Sequence, residues 1–119
     1  IKDLVYFLKK MGANLKWIGN RSIKIIGIKE VNEANYSVIF DRIEAGTYLI
    51  AAAATEGNLK IKNVIPEVIK TEINILRRIG AKIVTKKNEI HIIGNKKIKN
   101  INIKTAPYPG FQLTASTNY

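Results

Sequence analysis

Apolar residues at helical spacing open the chain: Ile1, Val5, Leu8 and Met11 fall on one face of a 3.6-residue period. The same stripe returns at Ile69, Ile73, Leu76 and Ile79. A glycine follows each stripe, Gly12 and Gly80, where a left-handed residue can end a helix. Arg77 and Arg78 occupy the last turn of the second stripe and suit the helix dipole. Short strands are predicted next, over 14–18 and 82–85, then polar turns at 19–21 and 86–88. Second strands follow at 22–26 and 89–93. The two stretches align. Leu8-Lys9-Lys10-Met11-Gly12-Ala13 aligns with Leu76-Arg77-Arg78-Ile79-Gly80-Ala81 at an offset of 68, and Ile23-Lys24-Ile25-Ile26-Gly27 aligns with Ile90-His91-Ile92-Ile93-Gly94 at 67. A unit of about 67 residues therefore recurs, one residue being lost in the turn.

The stretch between the copies completes the unit. Residues 36–40 alternate weakly and read as a strand. Asp41 and Glu44 have capping-box spacing and open a helix over 41–55. Its second half, 48–54, is apolar all round, the pattern of a helix buried on most sides. Residues 58–63 read as a strand with Leu59 and Ile61 on one face, and Pro66 opens the second striped helix. The order is β-α-β-α-β-β. On this reading 1–35 is the C-terminal part of one unit and 36–99 a complete unit. Residues 100–111 start a further strand and loop, and 112–119 form a separate tail. Beginning inside a unit suggests a fragment of a longer protein.

Composition narrows the chemistry. There is no cysteine and one histidine in 119 residues, so a disulfide scaffold, a thiolate zinc site and a multi-histidine metal site are excluded on this chain. The net charge of +11 points towards anionic partners. Yet 22 Ile, 16 Lys and 12 Asn together make a compositional bias, and the lysines are spread along the chain. Aromatic residues are not interleaved with them as single-strand binders require. A small basic nucleic-acid-binding module is thus the alternative reading, and a solvated lysine-rich surface the favoured one. No apolar run is long enough to span a bilayer and no signal-peptide pattern is present, so a cytoplasmic protein is expected. His91 alternates with inward isoleucines and stands where Lys24 stands in the first copy, which makes a solvated strand face its expected setting.

Two strings carry a family resemblance. The run Phe40-Asp41-Arg42-Ile43-Glu44-Ala45-Gly46-Thr47 resembles the Asp-Arg-Ile-Glu-x-Gly-Thr segment of the UDP-N-acetylglucosamine enolpyruvyl transferases. Thr105-Ala106-Pro107-Tyr108-Pro109-Gly110-Phe111 resembles their Thr-Ala-Pro-x-Pro-x-Phe loop. The resemblance spans 1–111 and implies part of a lobe built as an inside-out α/β barrel of β-α-β-α-β-β units, helices inside and sheets outside. It implies transfer of enolpyruvyl from phosphoenolpyruvate to the sugar 3-hydroxyl of UDP-N-acetylglucosamine, without metal or cofactor, as the first committed step of peptidoglycan synthesis. Neither nucleic acid nor membrane is an expected partner. Asp41, Arg42, Thr105 and Pro107 are the substrate-facing candidates it implies. No catalytic residue is expected in this chain. The family's loop cysteine belongs to a region before residue 1. Its catalytic aspartate falls at Thr114, which cannot serve as a carboxylate base, and the whole tail 112–119 is expected to be foreign to the family. The fragment is therefore expected to be inactive alone. It is also expected to self-associate, with Ile43, Ile50, Ile69, Ile73 and Leu76 left partly uncovered.

Overall fold

The computed structural model describes residues 1–107 and 110. The chain divides into two compact units, Ile1–Ile39 and Phe40–Tyr119.

In the first unit α1 (Lys2–Lys10) leads into an antiparallel hairpin of β1 (Asn14–Ile18) and β2 (Ser22–Ile26). Met11 closes α1, and Gly12 then takes φ +92°. The Gly12 amide donates to the Lys9 carbonyl and the Ala13 amide to the Leu8 carbonyl, satisfying carbonyls that the helix end would otherwise leave open. Val5 and Leu15 are the buried side chains. The segment after the hairpin returns to the helix. The Asn32 amide donates to the Met11 carbonyl, and the Tyr36 hydroxyl donates to Asp3 Oδ1 at 2.7 Å with its ring 5.4 Å from that of Phe7. The strand predicted over 36–40 does not form: no strand is assigned there, and Tyr36 is committed to this tie instead.

The second unit contains α2 (Arg42–Ala54), β3 (Asn58–Lys62), a 3-10 turn (Pro66–Ile69), α3 (Lys70–Arg78), β4 (Lys82–Lys86) and β5 (Glu89–Ile93). Its sheet has the order β3-β5-β4, antiparallel throughout. Alternation along β5 sends Ile90 and Ile92 inward, both fully buried. Leu49 of α2 and Ile69, Ile73 and Leu76 of the second helical stretch meet them in one core. Ile69, Ile73 and Leu76 are thus not left uncovered, contrary to the sequence expectation, because α2 and the three strands close over them within this unit. Ile43 and Ile50 do remain open, 50% and 46% exposed. Helix α2 correspondingly buries one face, through Ala45, Gly46, Leu49, Ala52 and Ala53, instead of most sides. No strand forms at 100–103: these residues join neither sheet.

The repeat is exact in its elements. Helix α1 matches α3 and β1 matches β4 at offset 68, and β2 matches β5 at 67. Pairing registers coincide too, Leu15 opposite Ile25 as Ile83 is opposite Ile92. Even the returning segments agree: Lys99 donates to the Ile79 carbonyl as Asn32 does to that of Met11. Burial differs. Ile92 is fully buried whereas its counterpart Ile25 is 69% exposed. In the second unit α2 and β3 pack on β5, and the first unit contains no element equivalent to either.

Candidate functional site

Asp41 opens α2 as its N-cap, with φ −75° and ψ 115°. Its Oδ1 accepts hydrogen bonds from the amides of Ile43 at 2.8 Å and Glu44 at 3.4 Å. The carboxylate thereby holds the helix start and, from the same position, borders a groove of about 280 Å³. Phe40, Ala45, Ile61 and Val64 give that groove apolar walls, while Asp41, Glu44, Tyr48 and Lys62 bring polar groups to it. Carboxylate oxygens accept from hydroxyls, and aromatic faces cover the apolar face of a sugar or base. The two carboxylates make this groove a poor seat for a phosphate, since Lys62 is the one cation among its described lining residues.

Arg42 turns elsewhere. Its guanidinium donates to Glu72 Oε1 of α3 at 2.5 Å, with side-chain exposures of 17% and 10%. Glu72 is the buried charged residue of the described chain. The sequence reading did not single it out, although a signal existed. Position 72 lies three residues after Ile69 and four before Leu76, on the apolar stripe of α3, where a carboxylate needs a partner.

Thr105 and Pro107 are exposed. Their loop borders a second depression of about 420 Å³, lined by Thr71, Asn74, Ile75, Arg78, Asn102, Ile103, Lys104, Ala106 and Gly110. Arg78 and Lys104 make it cationic, with no carboxylate among those residues. Neither Thr105 nor Pro107 lines the groove that Asp41 borders. Thr114, Phe111 and the tail 112–119 lie outside the described residues.

His91 Nε2 lies 2.6 Å from Asn58 Oδ1 and opposite Lys60 on β3, between the inward Ile90 and Ile92, as the repeat predicted. No group of three His, Cys, Asp or Glu residues that could hold a metal occurs among the described residues. No helix there is long and apolar enough to cross a membrane.

The family model described as EPSP synthase (3-phosphoshikimate 1-carboxyvinyltransferase) matches residues 1–118, a span that reaches into the 112–119 segment. The chain belongs to this EPSP synthase family. Its helices and antiparallel sheets are consistent with a partial enolpyruvyl transferase lobe. Among curated relatives, the UDP-N-acetylglucosamine 1-carboxyvinyltransferase of Pelagibacter ubique (strain HTCC1062) is 65% identical over 111 residues, 93% of this chain and 27% of the relative. The enzyme of the same name from Orientia tsutsugamushi (strain Ikeda) is 54% identical over 113 residues, again 93% of this chain and 27% of the relative. UDP-N-acetylglucosamine 1-carboxyvinyltransferase 1 of Caldanaerobacter subterraneus subsp. tengcongensis is 49% identical over 111 residues, with the same coverage. The chain thus spans about a quarter of the length of these EPSP synthase family relatives.

Proposed function

We propose that this chain is part of an enzyme that transfers enolpyruvyl from phosphoenolpyruvate to the 3-hydroxyl of UDP-N-acetylglucosamine, in the cytoplasm, as the first committed step of peptidoglycan synthesis. The observation that carries the reading is the 65% identity, over 93% of the chain, to a relative named UDP-N-acetylglucosamine 1-carboxyvinyltransferase. In the reaction the sugar 3-oxygen loses its proton and bonds to C2 of phosphoenolpyruvate, while C3 takes up a proton and becomes a methyl group. The bond between C2 and the phosphate oxygen then breaks, inorganic phosphate leaves, and loss of a methyl proton restores the enol double bond.

This chain's share is binding and placement. Asp41, with the groove behind it, is proposed to face the hydroxyl-bearing acceptor, whose hydroxyls a carboxylate can accept from. The loop that carries Thr105 and Pro107 is proposed to face substrate from the cationic depression, whose Arg78 and Lys104 suit phosphate oxygens. Arg42, proposed from its motif as substrate-facing, sits directly behind Asp41 in its ion pair. No residue of this chain is assigned the proton transfers.

The test compares this chain with the gene product that contains it. Phosphate release from phosphoenolpyruvate plus UDP-N-acetylglucosamine is expected from the longer product and not from residues 1–119 alone. Turnover by the 119-residue chain would refute the division of labour. Absence of turnover in the longer product, with tight and salt-sensitive binding of DNA or RNA, would replace the reading with a nucleic-acid-binding one.

A further inference from the structure

We propose that Glu72 and Arg42 are positioning residues for the acceptor groove: their ion pair holds the first turn of α2 so that the Asp41 carboxylate keeps its place at the groove edge. The inference rests on the reading of that groove as the acceptor site. Its own observations are independent of the family. Arg42 is the first residue of α2, immediately after the N-cap, where the helix dipole disfavours a cation. A carboxylate partner offsets that unfavourable placement, and Glu72 supplies one from the neighbouring helix. The carboxylate of Glu72 is drawn out of water onto the core stripe of α3, a cost that only a well-formed partner offsets. Its methylene stem runs beside the α2 backbone near Gly46, where an added Cβ would lie 3.9 Å from Glu72 Cγ, an ordinary van der Waals contact. The charged tip then reaches the residue next to Asp41. The arrangement fixes the lateral position of the helix start, while the N-cap hydrogen bonds fix the carboxylate's rotation. Arg–carboxylate pairs suit such work because the planar guanidinium defines direction as well as distance.

The experiment uses the longer gene product with Asp41→Asn, Glu72→Gln, Arg42→Lys and the charge-exchanged double variant Arg42→Glu/Glu72→Arg. Steady-state kinetics are measured separately for UDP-N-acetylglucosamine and phosphoenolpyruvate, beside thermal melts, at a temperature well below every melting point. Glu72→Gln is expected to raise the acceptor KM by roughly tenfold to a hundredfold, the scale of one charge-assisted hydrogen bond to the acceptor lost. The phosphoenolpyruvate KM should be unmoved, and the exchanged pair should recover most of the acceptor KM. A purely structural pair would lower the melting temperature and leave both KM values and kcat per folded enzyme unchanged; that result overturns the proposal. If Asp41→Asn itself changes nothing, the groove reading fails, and the positioning role with it. If Asp41→Asn raises the acceptor KM while Glu72→Gln, Arg42→Lys and the exchanged pair do not, the positioning role alone fails. Should Glu72→Gln not fold, Arg42→Lys and the exchanged pair decide by the same criteria.

Discussion

Substituting Gly94 by alanine tests how the second unit is closed, and Gly27, its repeat mate, provides an internal control. A Cβ at Gly94 would sit 2.6 Å from the Ala52 carbonyl oxygen, 2.7 Å from Glu56 Cα and 3.0 Å from Glu56 C. Normal contact lies at about 3.5–4.0 Å, so the overlap is on the order of 1 Å. All three atoms are backbone at the end of α2, and none can rotate aside. Relief must come from moving the end of β5 away from the helix, which also strains the 2.8 Å hydrogen bond from the Gly94 amide to the Gly57 carbonyl. Overpacking of this kind costs about 1–3 kcal/mol. For a domain of this size that corresponds to a loss of roughly 4–24 °C in Tm, at about 4–8 °C per kcal/mol. At Gly27 an added Cβ meets nothing within 4 Å. Gly27→Ala should therefore leave stability within about 0.5 kcal/mol, or raise it slightly by restricting the unfolded chain. Urea unfolding of the 119-residue chain, followed by circular dichroism, gives both values. Equal effects of the two substitutions, or no cost at Gly94, would refute the close-approach argument. In a longer gene product that covers the first hairpin as α2 covers β5, Gly27→Ala should become as costly as Gly94→Ala.

Tyr36 donates its hydroxyl hydrogen bond to Asp3, and that bond first, then desolvation and the Asp3 charge, push its pKa above the ordinary tyrosine range. A raised folded pKa means that the tie contributes fully below the unfolded value of about 10 and is lost as pH rises through the folded one. Absorbance at 295 nm should show a late tyrosine titration above pH 10 that Tyr36→Phe removes; no such phase would contradict the tie. The 119-residue chain should self-associate, because Ile25, Ile43, Ile50 and Val38 are 69%, 50%, 46% and 79% exposed, and a fully covered aliphatic side chain is worth about 1.5–3 kcal/mol. Sedimentation at micromolar concentration should show oligomers, and a folded monodisperse monomer would refute the expectation.

Local patterns revealed most elements because each was set by contacts nearby. The stripes of α1 and α3, the glycines that end them and the alternation in β5 need only neighbouring residues. The repeat then confirmed them by self-consistency, since two separate stretches reached the same elements in the same register. The failures fell where structure depends on a partner. Residues 36–40 carry a weak β pattern but find no ladder, and the Asp3 hydrogen bond takes Tyr36. Residues 100–103 likewise join no sheet. The extent of burial around Ile69, Ile73 and Leu76 depends on how α2 crosses the sheet, which no window of sequence contains. At the site, the Asp41 cap was legible from its spacing to Glu44, whereas the Arg42–Glu72 pair joins residues 30 apart and emerges only from packing.

The central claim is most directly tested by acceptor choice. The family model is described by 3-phosphoshikimate, and the similar relatives by UDP-N-acetylglucosamine. Phosphate released from phosphoenolpyruvate by the gene product that contains residues 1–119 should be measured with each acceptor in turn. The account predicts release with UDP-N-acetylglucosamine and none with 3-phosphoshikimate. Release with 3-phosphoshikimate alone, or with neither acceptor, would contradict it.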